Sequence, residues 1–122
     1  MKTTNNQKRN LEDKIMALLK LEQFLPAKKI LFKLQALNQT YNKTSIYRAL
    51  DRLLVKGILC QYYLGKIGLV YALRSNNYEY LQCEKCGKVK AIPGTLSQPA
   101  SIEGFKISHY HLIYLGICPD CQ

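Results

Sequence analysis

In the first half of the chain, apolar residues recur at helical spacing in three successive segments. Leu11, Ile15, Leu18 and Leu19 share one face of a segment running to Glu22, with the acidic Glu12 and Asp13 in what would be its first turn, where the helix dipole favours them. Pro26 can open a second helix, since the first helical position needs no amide hydrogen, and Ala27, Ile30, Leu31 and Leu34 supply its apolar face. The polar stretch 38–42 ends it. A third helix is expected from Thr44, or just before it, to about Lys56, with Gly57 in the position that closes helices. At 100° per residue Ile46, Leu50, Leu53 and Leu54 fall in one arc, Ser45, Arg48 and Arg52 cluster opposite, and Tyr47 lies at the edge between them.

The period then changes. Residues 58–64 and 67–73 are rich in β-branched, aromatic and aliphatic side chains and are separated by Gly65 and Lys66, which reads as a hairpin. Three short helices followed by a hairpin make a winged helix. Ser75, Asn76 and Asn77 form a polar break, taken as a linker. Beyond it, residues 78–83 and 88–92 read as two strands around a Cys-x-x-Cys-Gly turn, and 106–116 as two more extended stretches or one long one. Pro93, Gly94 and Pro99 break up the intervening segment, leaving room for one short helix at 98–103 capped by Ser97. Residues 1–10 carry no apolar period and are expected to be a mobile basic arm containing Lys2, Lys8 and Arg9. The expected organisation is therefore an arm at 1–10, a winged helix at 11–74, a linker at 75–77 and a second domain at 78–122.

Length and composition narrow this picture. At 122 residues the chain is too short for a barrel or doubly wound enzyme, and at 48% hydrophobic with 21% charged residues it can bury a core. No apolar run approaches the ~20 residues of a membrane span, and the polar start lacks the apolar stretch of a signal peptide, so a cytoplasmic protein is expected. The net charge of +10 is unevenly placed: residues 1–74 hold fourteen basic and four acidic side chains, residues 75–122 four of each. All the surplus lies in the winged-helix half, the layout expected when one lobe meets a polyanion. The candidate DNA-binding set is Lys43, Thr44, Ser45, Tyr47, Arg48 and Arg52 on the third helix and Lys66 at the hairpin tip. Arginines there can pair with phosphates or guanine edges, Ser45 with a phosphate or base, and Tyr47 with a thymine methyl or a phosphate. A merely solvated basic face is the alternative that charge alone leaves open.

Four of the five cysteines form two Cys-x-x-Cys pairs, Cys83 with Cys86 and Cys118 with Cys121, separated by 31 residues. Each tight turn can place two sulfurs on one ion, and two pairs complete a tetrahedral zinc site. A thioredoxin-like dithiol would need one such pair opening a helix in a βαβ setting, and disulfides would need an oxidising compartment. Four thiolates around Zn²⁺ add a charge of minus two, which brings the whole protein to about +8 and turns the second half acidic. A four-sulfur site is saturated and structural rather than catalytic, and no Walker loop, dinucleotide glycine pattern, nucleophile elbow or His-Glu-x-x-His helix occurs. No enzyme is expected. Cys60, in a predicted strand, reads as a small buried hydrophobe, and His109 and His111, two apart, would share a face of a strand.

Taken together, these motifs resemble a family. Thr44-Ser45-Ile46-Tyr47-Arg48-Ala49-Leu50-Asp51 resembles the recognition helix of ferric uptake regulator (Fur) proteins, its Arg-Ala-Leu-Asp ending being nearest the zinc uptake branch. Residues 81–89 and 104–121 resemble that family's two metal knuckles and its C-terminal strand, so the likeness spans about residue 11 to the end. The resemblance implies an α+β fold with an N-terminal winged helix-turn-helix domain and a small C-terminal α/β dimerisation domain holding one structural zinc per subunit. It also implies a homodimer on double-stranded DNA at an AT-rich palindromic operator, acting as a transcription regulator, typically a repressor, with no membrane partner.

The resemblance further implies a second, regulatory metal bound mainly by histidines, and here the sequence departs from it. The expected histidines fall at Tyr78, Tyr80, Tyr110 and near Phe24, and only Glu79 keeps a ligand-type side chain. The segment between the knuckles is short and broken by prolines, and His109 and His111 flank one expected position. A degenerate or absent metal-sensing site follows, with a protein that pairs with another Fur-like regulator without binding DNA as the alternative.

Overall fold

The structure, a computed structural model, describes residues 2–74, 78–94 and 96–122, and for residues 2–8 and 78 the backbone alone. The expected linker at 75–77 lies outside the described residues. The chain divides into two compact units, Met1–Ser75 and Asn76–Gln122.

In the first unit, helix α1 (Lys2–Glu22) is followed by the two-residue strand β1 (Leu25–Pro26), helix α2 (Ala27–Leu37), helix α3 (Lys43–Val55) and strands β2 (Leu59–Leu64) and β3 (Gly68–Leu73). Ile15, Leu19, Ile30, Leu34, Ile46, Ala49, Leu50 and Leu53 are fully buried in one core cluster, and Leu18, Leu31 and Leu54 pack on it half-buried. The helical periods thus point where the sequence pattern places them. Asn42 caps α3, its Oδ1 accepting the Ser45 amide at 2.7 Å, and Gly57 leaves the helix with φ +75°.

Three local features differ from the sequence reading. The segment expected as an arm is backbone helix from Lys2, because its Lys, Gln, Asn and Arg residues include neither Gly nor Pro and simply extend α1. Glu12 is accordingly mid-helix and not in a first turn. Pro26 is the residue before α2, and with Leu25 it pairs antiparallel to β3, giving a sheet ordered β1-β3-β2; an edge position suits a residue with no N–H to donate. The wing turn holds three residues, Gly65–Ile67 in a 3-10 turn, since Leu64 pairs with Gly68.

The second unit is built on β4 (Tyr78–Cys83), β5 (Val89–Pro93) and β8 (Leu112–Gly116), ordered β5-β4-β8. β5 runs antiparallel to the central β4 and β8 parallel to it, with Cys83 opposite Gly116. The short helix expected at 98–103 is absent. Instead β6 (Ser101–Ile102) and β7 (Phe105–Lys106) form a hairpin whose central residues Glu103 and Gly104 have φ +47° and +82°, the pattern of a type I′ turn. A residue followed by Gly between two extended pairs closes that turn locally, and Gln98 adds to the ribbon by donating its side-chain amide to the Ile107 carbonyl at 2.9 Å.

Candidate metal centre and nucleic-acid interface

Cys83 ends β4, Cys86 lies in the turn after it, Cys118 follows β8 and Cys121 closes a single 3-10 turn, Pro119–Cys121. Each knuckle is tied by its own backbone: Gly87 N–H donates to the Cys83 carbonyl at 2.9 Å, and Cys121 N–H to the Cys118 carbonyl at 3.0 Å. Glu84 N–H donates across to the Gly116 carbonyl at 2.8 Å, joining the two turns. The parallel β4–β8 pairing brings both strands to their C-terminal ends side by side, which is why two pairs with 31 residues between them meet.

All four sulfurs lie within 4.8 Å of one another, with Cys86 and Cys118 Sγ 3.8 Å apart. A tetrahedron with zinc–sulfur bonds of about 2.3 Å has edges of about 3.8 Å, so the donor set fits zinc in both chemistry and spacing. No helix opens at Cys83, where a thioredoxin-like dithiol would need one. The amides of Cys118 and Cys86 point at the buried Cys83 sulfur at 3.4 and 3.5 Å and hold its pKa down to about 6. Cys121 is pushed up to about 12 by hydrogen bonds with Cys118 and Cys83.

On the first unit, α3 presents Lys43, Thr44, Ser45 and Arg48 as exposed side chains. Tyr47 is half-buried with the Lys43 ammonium 5.8 Å from its ring centre, so these two act together. Lys66 is exposed in the wing turn. Arg52 does not stand with the outward set. Its Nε donates to Glu12 Oε2 at 2.6 Å while Lys56 Nζ reaches Oε1 at 3.0 Å, so Arg52 on α3 and Lys56 just after it clamp a carboxylate on α1. Burial raises the Glu12 pKa, but the hydrogen bonds and charges of Arg52 and Lys56 outweigh it and hold the carboxyl below its ordinary value. The pair spans 40 residues, so no local pattern could show it.

Sequence reasoning also passed over Tyr63, exposed on β2 on the same side as Gln61; the in-out alternation of 59–64 carries that signal. Cys60, also on β2, is half-buried, its thiol directed at the Ala72 carbonyl at 3.7 Å. His109 and His111 lie before β8 in irregular backbone, so the expectation of a shared strand face does not hold, although their rings meet edge-on at 5.0 Å. Glu79 is fully buried on β4 and accepts the Leu96 amide at 3.2 Å and the Tyr110 hydroxyl at 3.5 Å.

A three-helix unit with a capped outer helix and a strand-paired wing, joined to a unit with a four-sulfur metal centre, defines a winged-helix DNA-binding protein with a zinc-type knuckle. The ferric uptake regulator family model matches residues 1–115, and the chain belongs to that family, whose members are dimeric DNA-binding metalloregulators and not enzymes. No curated protein matches the chain. Among solved structures, the chain is similar to the Campylobacter jejuni peroxide stress regulator (12% identity, 98% of this chain and 95% of that one, TM-score 0.76). It is similar as well to a ferric uptake regulator from Francisella tularensis with iron (20%, 91% and 90%, TM-score 0.61). A zinc uptake regulator complexed with zinc and DNA matches at 23% identity over 91% of this chain and 80% of that one, with a TM-score of 0.51. At identities this low the likeness shows the fold alone. Among the described residues no helix is long and apolar enough to cross a membrane.

Proposed function

We propose that this chain is a homodimeric, sequence-specific DNA-binding transcription regulator that keeps one structural zinc per subunit and has lost the histidine-based metal switch. The observation that carries the reading is α3: a capped helix presenting Thr44, Ser45 and Arg48 to solvent from the unit that holds the whole surplus charge. Its N-terminal half is aimed outward for a major groove, Lys43 and Tyr47 flank it, and Lys66 on the wing serves a neighbouring phosphate. Arg52 acts here as a positioning residue, holding α3 against α1 through Glu12.

Zinc, when bound by Cys83, Cys86, Cys118 and Cys121, would cross-link the two turns and leave no open coordination position. Loss of the switch is supported by Glu79, whose carboxylate is held by an amide and a phenol, and by Tyr110 standing where the family resemblance calls for an imidazole. A ligand shifts an equilibrium only through unequal affinity for two states, so a dimer that stays closed without one binds its operator, taken as AT-rich and palindromic, with no added ion.

The test is fluorescence anisotropy with operator fragments selected from random DNA, over a salt series, with and without a chelator too weak to strip four thiolates. Affinity that falls steeply with salt and ignores the chelator supports the proposal. Dependence on an added metal sinks the constitutive reading, and no sequence-selective binding at any salt favours a partner protein that only dimerises with another regulator.

A further inference from the structure

The first unit holds a cleft of about 620 Å³ between α1 and the base of the wing hairpin. That size lies inside the ~300–1,000 Å³ range of sites for small molecules. Asp13, Met16, Ala17 and Lys20 recur at helical spacing along its α1 wall. The facing wall is Gly57 with Ile58 and Leu73 with Arg74, fixed by the pairing of Leu59 with Leu73 and by the Arg74 amide, which donates to the Ile58 carbonyl at 2.9 Å. The floor is apolar: Leu73 belongs to the core cluster, and Met16 and Ile58 pack on that cluster half-buried while lining the cleft. Two cations stand at this floor without a carboxylate. Arg52 and Lys56 hold Glu12 and Lys33 holds Glu22, whereas among the described residues neither Lys20 nor Arg74 is in an ion pair. Arg74 is also held in place: a Cβ at Gly57 would lie 3.1 Å from its Nη1, so the guanidinium rests against a residue with no side chain.

From this we infer that the cleft is a binding site for a small organic carboxylate with an apolar body. The body covers Met16, Ile58 and Leu73, and the carboxylate pairs with Arg74, with Lys20 adding a second donor. A guanidinium fork matches a carboxylate through two parallel hydrogen bonds, and burial of the ligand's apolar part on a preformed floor supplies the remaining affinity. Lys20 and Arg74 against Asp13 leave the cleft one positive charge, which suits a monoanion. None of these residues belongs to the four-sulfur centre or to the outward face of α3, so the site neither uses nor depends on the DNA and zinc readings above.

Titration of the isotope-labelled, zinc-loaded full chain with octanoate, followed by amide NMR, tests it. The expected result is saturable shifts confined to residues 13–20, 57–58 and 73–74, with a dissociation constant below about 1 mM. Arg74→Gln weakens octanoate binding about tenfold or more, and octan-1-ol, which has the same chain without the charge, binds the unaltered protein weaker by a similar factor. Ala17→Trp fills the cleft from its exposed rim and removes binding; the spectrum itself reports whether α1 stays folded, and where it does not, Arg74→Gln decides. Shifts scattered over the basic surface, equal binding of octan-1-ol, a titration unchanged by Arg74→Gln, or no saturable shift at millimolar octanoate each overturn the proposal. Loss of operator affinity in Arg74→Gln, with the parent's spectrum indifferent to octanoate, overturns it in favour of a phosphate contact.

Discussion

Tyr110 and Glu79, 31 residues apart, meet through a hydrogen bond of 3.5 Å from the phenol to a fully buried carboxylate oxygen. The same carboxylate oxygen accepts the Leu96 amide, and the Tyr110 hydroxyl also lies 3.3 Å from the Leu96 carbonyl. One acidic side chain on the central strand therefore fastens both the segment after β5 and the segment before β8. Burial and then the charge of Glu79 raise the Tyr110 pKa above its ordinary 10.

Tyr110→Phe removes the donor and leaves the ring. The expected outcome is a melting temperature lower by a few degrees at neutral pH, and faster amide exchange around residue 96. Because the folded state raises the phenol pKa, this contribution is complete below pH 10 and is lost as pH rises through the higher folded value. Alkaline melting curves of the two proteins should converge. Equal neutral-pH melting temperatures would show that the bond contributes nothing.

Glu12→Gln tests the clamp between α1 and α3. The carboxylate is largely buried but Arg52 is partly and Lys56 more exposed, so a loss of about 1 kcal/mol is expected, less than for a fully buried pair. With the Glu12 pKa below 4.5, its contribution is present above that pH and disappears as pH falls through the lowered value. Urea unfolding from pH 7 downward should give a clear difference from the parent at neutral pH that shrinks as the carboxyl takes up its proton. DNA affinity should drop as well, because a looser α3 is presented less uniquely.

Arg48→Ala and Lys66→Ala should separate base reading from phosphate contact. The first is expected to cost about 1–3 kcal/mol on the selected operator and little on random DNA. The second should weaken both equally and reduce the salt slope by about one. Anisotropy titrations at three salt concentrations distinguish them, and an operator affinity untouched by Arg48→Ala would remove α3 as the reading element.

Stripping zinc with a strong chelator, or Cys118→Ser, should release the C-terminal turn and the β4–β8 ends while leaving the first unit folded, since its helices are cored on their own side chains. Hydrogen exchange resolved along the chain reads this directly. Protection lost uniformly in both units would contradict it.

Much of the first unit was legible in the sequence because its rules are local. A helix shows its buried face through a 3.6-residue period, as Ile46, Leu50 and Leu53 do, whereas the Asn42 cap on Ser45 emerged only with the backbone in place. Turn chemistry was less reliable: the wing turn is one residue longer than its Gly-Lys signal, and Glu103-Gly104 closed a hairpin where a helix was expected. Both outcomes depend on which strand residues pair.

By itself, the sequence determined the apolar faces of the helices, the one-sided distribution of charge and the presence of two thiol pairs, since each is a property of neighbours within a few residues. The tertiary structure decided that the thiol pairs share one centre, that Arg52 turns to Glu12 and not outward, and that Tyr110 reaches Glu79. Those contacts close loops of about 30 to 40 residues. The entropy of closing them is repaid only when whole strands and helices pack together, so no short stretch of sequence carries them.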